Sequence, residues 1–128
     1  MKKLKKEHED KSGLALAQFC AKVALDHKAE DLVILDVHEL TSFTDYFIFM
    51  SGRSTRHVKG LADSIEKELM TKRISNKFCE GLQEGLWVLL DYNDVVIHIF
   101  YKETRGFYDL EGLWHDAPRV EVESEINL

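Results

Sequence analysis

Two apolar stretches in the second half of the chain alternate in a way that predicts a β-hairpin. Leu86–Asp91 and Asp94–Tyr101 are separated by Tyr92-Asn93, and Asn accepts the positive φ that a two-residue hairpin turn requires. This turn pairs three positions across the predicted strands: Asp91 with Asp94, Leu89 with Val96, and Trp87 with His98.

Because side chains alternate across a sheet, this hairpin has two different faces. The aliphatic face consists of Leu86, Val88, Leu90, Val95, Ile97 and Ile99. The mixed face consists of Trp87, Leu89, Val96, His98 and Phe100, and it ends in the aspartates of the turn. A hairpin that is apolar on both faces needs two covers. We expect the protein's own helices on the aliphatic face and a different cover on the mixed face.

The first half of the chain predicts two helices around two strands. Ser12 is a candidate cap for a helix over Leu14–Leu25, in which Leu16, Phe19, Cys20, Val23 and Ala24 form one stripe. Leu32–Val37 and Tyr46–Met50 are predicted strands, followed by a turn at Ser51-Gly52. Ser54 is the candidate cap of the next helix, with an inner stripe of Val58, Leu61, Ala62, Ile65 and Leu69.

The remaining elements complete a mixed sheet. Ile74–Cys79 predicts a third strand or an irregular connection, and Gly81 and Gly85 bracket a loop before the hairpin. Beyond the hairpin, Glu103–Trp114 predicts a helix with Phe107, Leu110, Leu113 and Trp114 on one face, ended by Pro118. The order predicts an α/β fold (α+β, mixed sheet) of about five strands with helices packed on the sheet.

Length and charge narrow the classes of protein. A chain of 128 residues favours one domain, predicted over 12–118, between a flexible charged lead at 1–11 and an acidic tail at 119–128. The net charge of −6 argues against general attraction to nucleic acid, although the lysines of the lead could touch phosphate. Cys20 and Cys79 are predicted to be buried thiols of a reducing compartment. Without an apolar run of about 20 residues or a hydrophobic signal core, we expect a cytoplasmic protein.

Three groups of residues invite a chemical interpretation, and each has a structural alternative. Ser51-Gly52-Arg53-Ser54 could bind an anion at a strand-to-helix junction, or could simply form a turn and a helix cap. Asp91 and Asp94 could hold magnesium, bond the amides of their turn, or face a cation of a partner. His98 opposite an aromatic residue is more typical of packing or of an interface than of catalysis. Trp87 and Trp114 could anchor an interface or fill the core.

The chain resembles one family over roughly Leu14–Pro118. The segments that carry the likeness are Asp45–Phe47, Ser51-Gly52 with Ser54–Val58, Glu80-Gly81, Gly85–Tyr92, Asp94–Phe100, and Arg105 with Phe107, Tyr108, Leu110, Glu111, Leu113 and Trp114. Together they are similar to the ribosomal silencing factors, also called the Iojap family. Asn93 stands where that family usually has glycine, and Asn is the best substitute for glycine at positive φ.

This resemblance implies a fold similar to nucleotidyltransferases without their chemistry. It also implies binding to the large ribosomal subunit through its protein fourteen, obstruction of the small subunit, and lower translation. We therefore predict no catalytic residue, no metal and no cofactor. The predicted partner-binding residues are Trp87, Leu89, Asp91, Tyr92, Asp94, Val96, His98, Phe100 and Tyr108. A weak homodimer and at most peripheral contact with ribosomal RNA are compatible with this prediction. The alternative is a magnesium-dependent nucleotidyl- or phosphoryl-transfer enzyme that uses Ser51-Gly52, Asp91 and Asp94.

Overall fold

The structure is a computed structural model that describes the backbone of residues 2–123 and their side chains, apart from the side chains of residues 2–12, 107, 108 and 111. In chain order the elements are α1 (Lys2–Asp26), β1 (Glu30–Asp36), β2 (Tyr46–Gly52), α2 (Thr55–Thr71), β3 (Phe78–Glu80), β4 (Trp87–Asp91), β5 (Val95–Tyr101), α3 (Lys102–Tyr108), α4 (Leu110–Leu113) and β6 (Arg119–Val120). Within residues 2–123, no helix combines the length and apolar character that crossing a membrane requires.

The sheet has six strands in the order β3-β4-β5-β2-β1-β6. β2 and β5 run parallel, and the other neighbouring strands are antiparallel. The predicted mixed α/β class is therefore confirmed, with one strand more than expected. The additional strand is β6, whose two residues pair with Ile34 and Leu35. It was missed because a two-residue strand leaves too short a pattern to recognise.

Helices α1 and α2 cover one face of the sheet, as the aliphatic face of the hairpin required. Val88, Leu90, Ile97 and Ile99 are fully buried in a core shared with both helices. Leu86 is the exception, because it precedes β4 and is exposed. Burial of each large aliphatic side chain in this core contributes about 1.5–3 kcal/mol before conformational entropy is subtracted.

Helix α2 follows its predicted pattern closely. The Ser54 hydroxyl accepts a hydrogen bond from the His57 amide at 3.0 Å and caps the helix, as expected. The five residues of the predicted stripe are all buried: Val58, Leu61, Ala62, Ile65 and Leu69. A short-range signal was sufficient here because the cap and the periodicity both lie within the helix itself.

Helix α1 is longer than predicted. It begins at Lys2, so Ser12 lies within the helix and does not cap it. The predicted lead is therefore helical in its backbone from Lys2 onward. The side chains of this segment lie outside the described residues. At the other end, β6 lies within the segment predicted as a tail, and the Gln18 side chain bonds to the backbones of Glu121 and Glu123 at 2.8 Å each. The division into lead, domain and tail remains a prediction.

The helix predicted over Glu103–Trp114 is divided into α3 and α4. Asp109 separates them in a left-handed conformation, with φ at 45°, and its amide bonds to the Arg105 carbonyl oxygen. Leu110 and Trp114 pack inward as expected, but Leu113 is 73% exposed. Because the helix is interrupted at Asp109, a single periodicity could not place all of these side chains on one face.

Candidate protein-interaction face

The hairpin forms in a different register from the one predicted. Trp87 pairs with Phe100 and Asp91 with Val96, a shift of two residues. The Tyr92 amide bonds to the Val95 oxygen at 2.9 Å, so these residues lie opposite each other and the turn is Asn93-Asp94, one residue later than predicted. Asn93 takes the expected positive φ of 78°. Since side chains alternate with a period of two, a two-residue shift leaves the side chains of β4 and β5 on their predicted faces. The separation into aliphatic and mixed faces is therefore confirmed.

The mixed face continues across the sheet and is partly covered by the chain itself. Phe47 and Phe49 of β2 pair with Val96 and His98 of β5 and extend the face. The segment after β5 packs against it through Leu110, Trp114 and Ala117. The predicted second cover is thus supplied in part by the protein's own C-terminal helices.

This cover changes the expected exposure of three predicted interface residues. Val96, His98 and Phe100 are only 7%, 6% and 1% exposed, so they form a buried floor and not an accessible centre. Trp87 and Leu89 on β4 remain half-buried. The sequence could not reveal this difference, because alternation assigns a face to each residue but does not show which segments pack on it.

Trp87 is held by the floor beneath it. Its indole N–H donates a hydrogen bond to Nδ1 of His98 at 3.1 Å, and its ring stacks on Phe100 with centroids 5.3 Å apart. His98 itself stacks on Phe49 at 5.0 Å. Burial lowers the pKa of His98 to about 4, so the imidazole is neutral near pH 7 and its Nδ1 can accept the hydrogen bond from the indole N–H. Trp87 therefore presents a fixed aromatic surface.

We expect the stability of the protein to fall between about pH 6.5 and pH 4 because of His98. The folded pKa is about 4, whereas the unfolded value is about 6.5, so in this interval the unfolded chain binds a proton that the folded chain does not. The contribution is present above pH 6.5 and is lost as the pH falls, by up to about 3 kcal/mol. Urea unfolding across this range should show the loss in wild type. It should be smaller in His98→Phe, and equal loss in both would contradict this assignment.

The two aspartates of the turn have separate environments. Asp91 lies on the mixed face, and its carboxylate accepts a hydrogen bond from the backbone N–H of Asn93 at 2.8 Å. This is the predicted role of bonding an amide of the turn. Asp94 lies beside helix α1. Its Cβ is 3.6 Å from the position that a Cβ on Gly13 would occupy. Asp94 is therefore not placed on a common rim with Asp91. Among the described residues, no three His, Cys, Asp or Glu side chains are grouped to hold a metal ion.

Tyr92 is buried on the helix side of the sheet and not at a rim of the mixed face. The alternation of β4 continues through Tyr92, which places it with Leu90 in the core under α1 and α2. Burial raises the pKa of its hydroxyl to about 12, although a hydrogen bond with Asn76 acts in the opposite direction. Its predicted place at the rim of the mixed face is therefore wrong, whereas its contact with a partner stays a prediction. The side chain of Tyr108 lies outside the described residues.

At the junction between β2 and α2, where an anion site was one of two predictions, backbone amides bond to nearby side chains. The Arg53 amide donates to Nδ1 of His57 at 3.0 Å, and the His57 amide donates to Ser54. The Ser51 hydroxyl accepts a hydrogen bond from Arg105 at 2.8 Å. A Cβ on Gly52 would lie 2.8 Å from the Val58 side chain, so glycine serves close packing here. The predicted cap at Ser54 is confirmed, but the predicted turn at Ser51-Gly52 is wrong, because both residues pair with β5 as the end of β2.

A cavity beside Trp87 was not anticipated from the sequence. It measures about 350 Å³ and is lined by Glu80, Gly81, Glu84, Leu86, Trp87 and Leu89. Gly81 and Gly85 take φ values of +88° and +72°, and the Gly85 amide bonds to the Gly81 oxygen at 3.0 Å. The glycines did predict a loop, but they contained no information on where that loop packs.

Trp114 contributes to both the core and the surface. Its ring meets Phe47 edge-on with centroids 4.9 Å apart, and it remains half-buried. The packing on Phe47 accounts for its position on the mixed face. A contact between Trp114 and a partner remains a prediction.

Comparison with known proteins identifies the family. The family model of the ribosomal silencing factor during starvation matches residues 9–127. The chain is 37% identical to the ribosomal silencing factor RsfS of Halalkalibacterium halodurans over 91% of this chain and 99% of that protein. It is 35% identical to the Bacillus subtilis RsfS over 88% and 96% of the two chains. A crystal structure of a Chromobacterium violaceum protein superposes with a TM-score of 0.77 at 34% identity, over 80% of this chain and 85% of that one. The chain therefore belongs to the ribosomal silencing factor family.

Proposed function

We propose that this protein silences ribosomes by binding the large ribosomal subunit and blocking its association with the small subunit. The contact is proposed to be with large-subunit ribosomal protein fourteen, and the outcome is repression of translation in the cytoplasm. The observation that carries the proposal is the half-buried pair Trp87 and Leu89 on an otherwise covered mixed face. Membership of the family, whose printed name refers to ribosome silencing, supports it.

The chemistry of this face suits a ribosomal protein. Its apolar centre is bordered by Asp91, Glu80 and Glu84, while ribosomal proteins carry positive charge to bind RNA. An aromatic centre with a charged border is the usual organisation of a protein interface. The net charge of −6 favours the same kind of partner over direct binding to RNA. Val96, His98 and Phe100 act in this proposal as the support of Trp87 and not as contacts.

The proposed mechanism is steric and has no catalytic step. The Arg53 amide at the Ser51–Ser54 junction donates to His57, and the Ser54 hydroxyl accepts the His57 backbone amide. Asp91 and Asp94 have separate environments. We also propose that the fold is similar to that of nucleotidyltransferases, as the family resemblance implies. A weak homodimer is proposed as a storage form. The enzyme alternative has its own test. A melting temperature that rises with millimolar magnesium and nucleotide would support it.

Sedimentation with purified large ribosomal subunits tests the proposed function. The protein is expected to co-sediment with large subunits and to reduce the fraction of joined ribosomes when small subunits are added. If the protein co-sediments with large subunits but the fraction of joined ribosomes does not fall, the proposed binding stands and the proposed block of subunit association is rejected. Absence of co-sedimentation would reject the proposed function as a whole.

A further inference from the structure

We propose that the cavity beside Trp87 receives an arginine or lysine side chain of the protein partner, held between Glu80 and Glu84 over the indole ring. This inference rests on the proposed function and specifies the chemistry of its central contact. The cavity, of about 350 Å³, combines apolar walls from Leu86, Trp87 and Leu89 with two carboxylates. A long cationic side chain has the same two parts, an apolar stem and a charged end.

The two glutamates reach the cavity from different elements. Glu80 pairs with Leu89 across β3 and β4, so both side chains lie on the mixed face. Glu84 comes from the loop that Gly81 and Gly85 hold against β4. Both glutamates are exposed, and neither forms an ion pair with another described residue. Among the residues that the structure describes, none that lines the cavity is basic. The stem of Lys59 passes close to Gly85, and Lys59 is not one of the lining residues.

Trp87 adds the aromatic surface that a cation binds best. Phe100 covers one face of the indole and His98 accepts its N–H, so the ring is oriented before a partner arrives. Trp is the most favourable aromatic partner of a cation, and the attraction grows as the contact loses water. A preoriented ring also loses little conformational entropy on binding.

Other occupants fit the cavity less well. An apolar side chain would strip water from two carboxylates without giving them a counter-charge. A nucleotide base could stack on Trp87, but its phosphate would meet the negative charge of Glu80 and Glu84. A metal ion would lack a third carboxylate, His or Cys ligand among the described residues. The cavity therefore favours a protein cation over RNA.

The test is the double variant Glu80→Gln with Glu84→Gln, which keeps the size of both side chains and removes both charges. Its binding to purified large ribosomal subunits is measured by sedimentation at several salt concentrations. We expect binding about tenfold weaker than wild type at low salt and a reduced dependence on salt. The matched control is Glu39→Gln with Glu68→Gln, which changes the net charge equally at exposed positions that do not line the cavity. This control should bind close to wild type.

The outcomes separate this inference from the proposed function. If wild type does not bind large subunits, the proposed function fails. If wild type binds and the cavity variant binds equally with unchanged salt dependence, the cationic contact is rejected and the function stands. Tighter binding of the cavity variant would also reject it, in favour of an apolar or RNA occupant. Equal loss in the control pair would show a general charge effect and overturn the inference.

Discussion

Trp87→Ala is expected to weaken binding to the large ribosomal subunit by about 30-fold or more, which corresponds to about 2 kcal/mol. The indole is half-buried, stacked on Phe100 and hydrogen-bonded to His98, so it reaches the partner in a fixed orientation. Its removal takes away both the apolar centre of the face and the aromatic wall of the cavity. Sedimentation with large subunits measures the loss, and circular dichroism with thermal unfolding measures the fold.

A matched variant distinguishes the site from general surface hydrophobicity. Leu113 is 73% exposed and belongs to α4, so Leu113→Ala removes exposed apolar surface outside β4. It is expected to bind within about twofold of wild type, because exposed apolar contacts outside a packed centre contribute little. A folded Trp87→Ala that binds like wild type would exclude this face as the interface. An unfolded Trp87→Ala would show that the residue serves mainly the core.

Gly81→Ala is expected to destabilise the protein by about 4 kcal/mol, one of the largest effects of a single added methyl group. Gly81 has a φ of +88°, and a Cβ there would lie 2.0 Å from the carbonyl oxygen of Trp87. That oxygen belongs to the backbone of β4, so neither strand nor loop can move away without losing packing. The free energy of unfolding in urea gives the magnitude.

Gly60→Ala provides the control for this substitution. Gly60 lies within helix α2, and a Cβ there meets no atom within 4 Å. Because alanine is a better helix former than glycine, this variant should be more stable than wild type by up to about 1 kcal/mol. A Gly81→Ala protein as stable as wild type would mean that the Gly81 loop does not contact the Trp87 backbone. The cavity beside Trp87 would then have a different wall.

The separation of the hairpin into two faces shows how far local pattern extends. Alternation assigned Trp87 and Leu89 to one face and Val88 and Leu90 to the other, and that assignment survived an error of two residues in the register. The period of two makes the faces insensitive to such a shift. The predicted pairing of residues across the two strands was wrong. Alternation is identical in the two registers, so it could not distinguish them.

The candidate site was recoverable from the sequence only in part. Trp87 and Leu89 were predicted as its centre and are half-buried, while the cavity glutamates were not among the predicted binding residues. Tyr92 was predicted in the turn at the rim but is buried with the core, since the turn lies one residue later and Tyr92 continues the alternation of β4. The sequence placed Glu80 next to a glycine loop but did not show that this loop folds against β4.

The sequence alone was sufficient for properties that depend on near neighbours along the chain. These include the stripe and cap of helix α2, the turn at Asn93, the two faces of the hairpin, and the family, which rests on motifs in a consistent order. Tertiary structure was needed for properties that depend on distant segments meeting. Leu110, Trp114 and Ala117 bury the floor of the mixed face, and the Gly81 loop closes the cavity beside Trp87. Burial is a property of the assembled layers, so periodicity can assign a side chain to a face but cannot show what covers it.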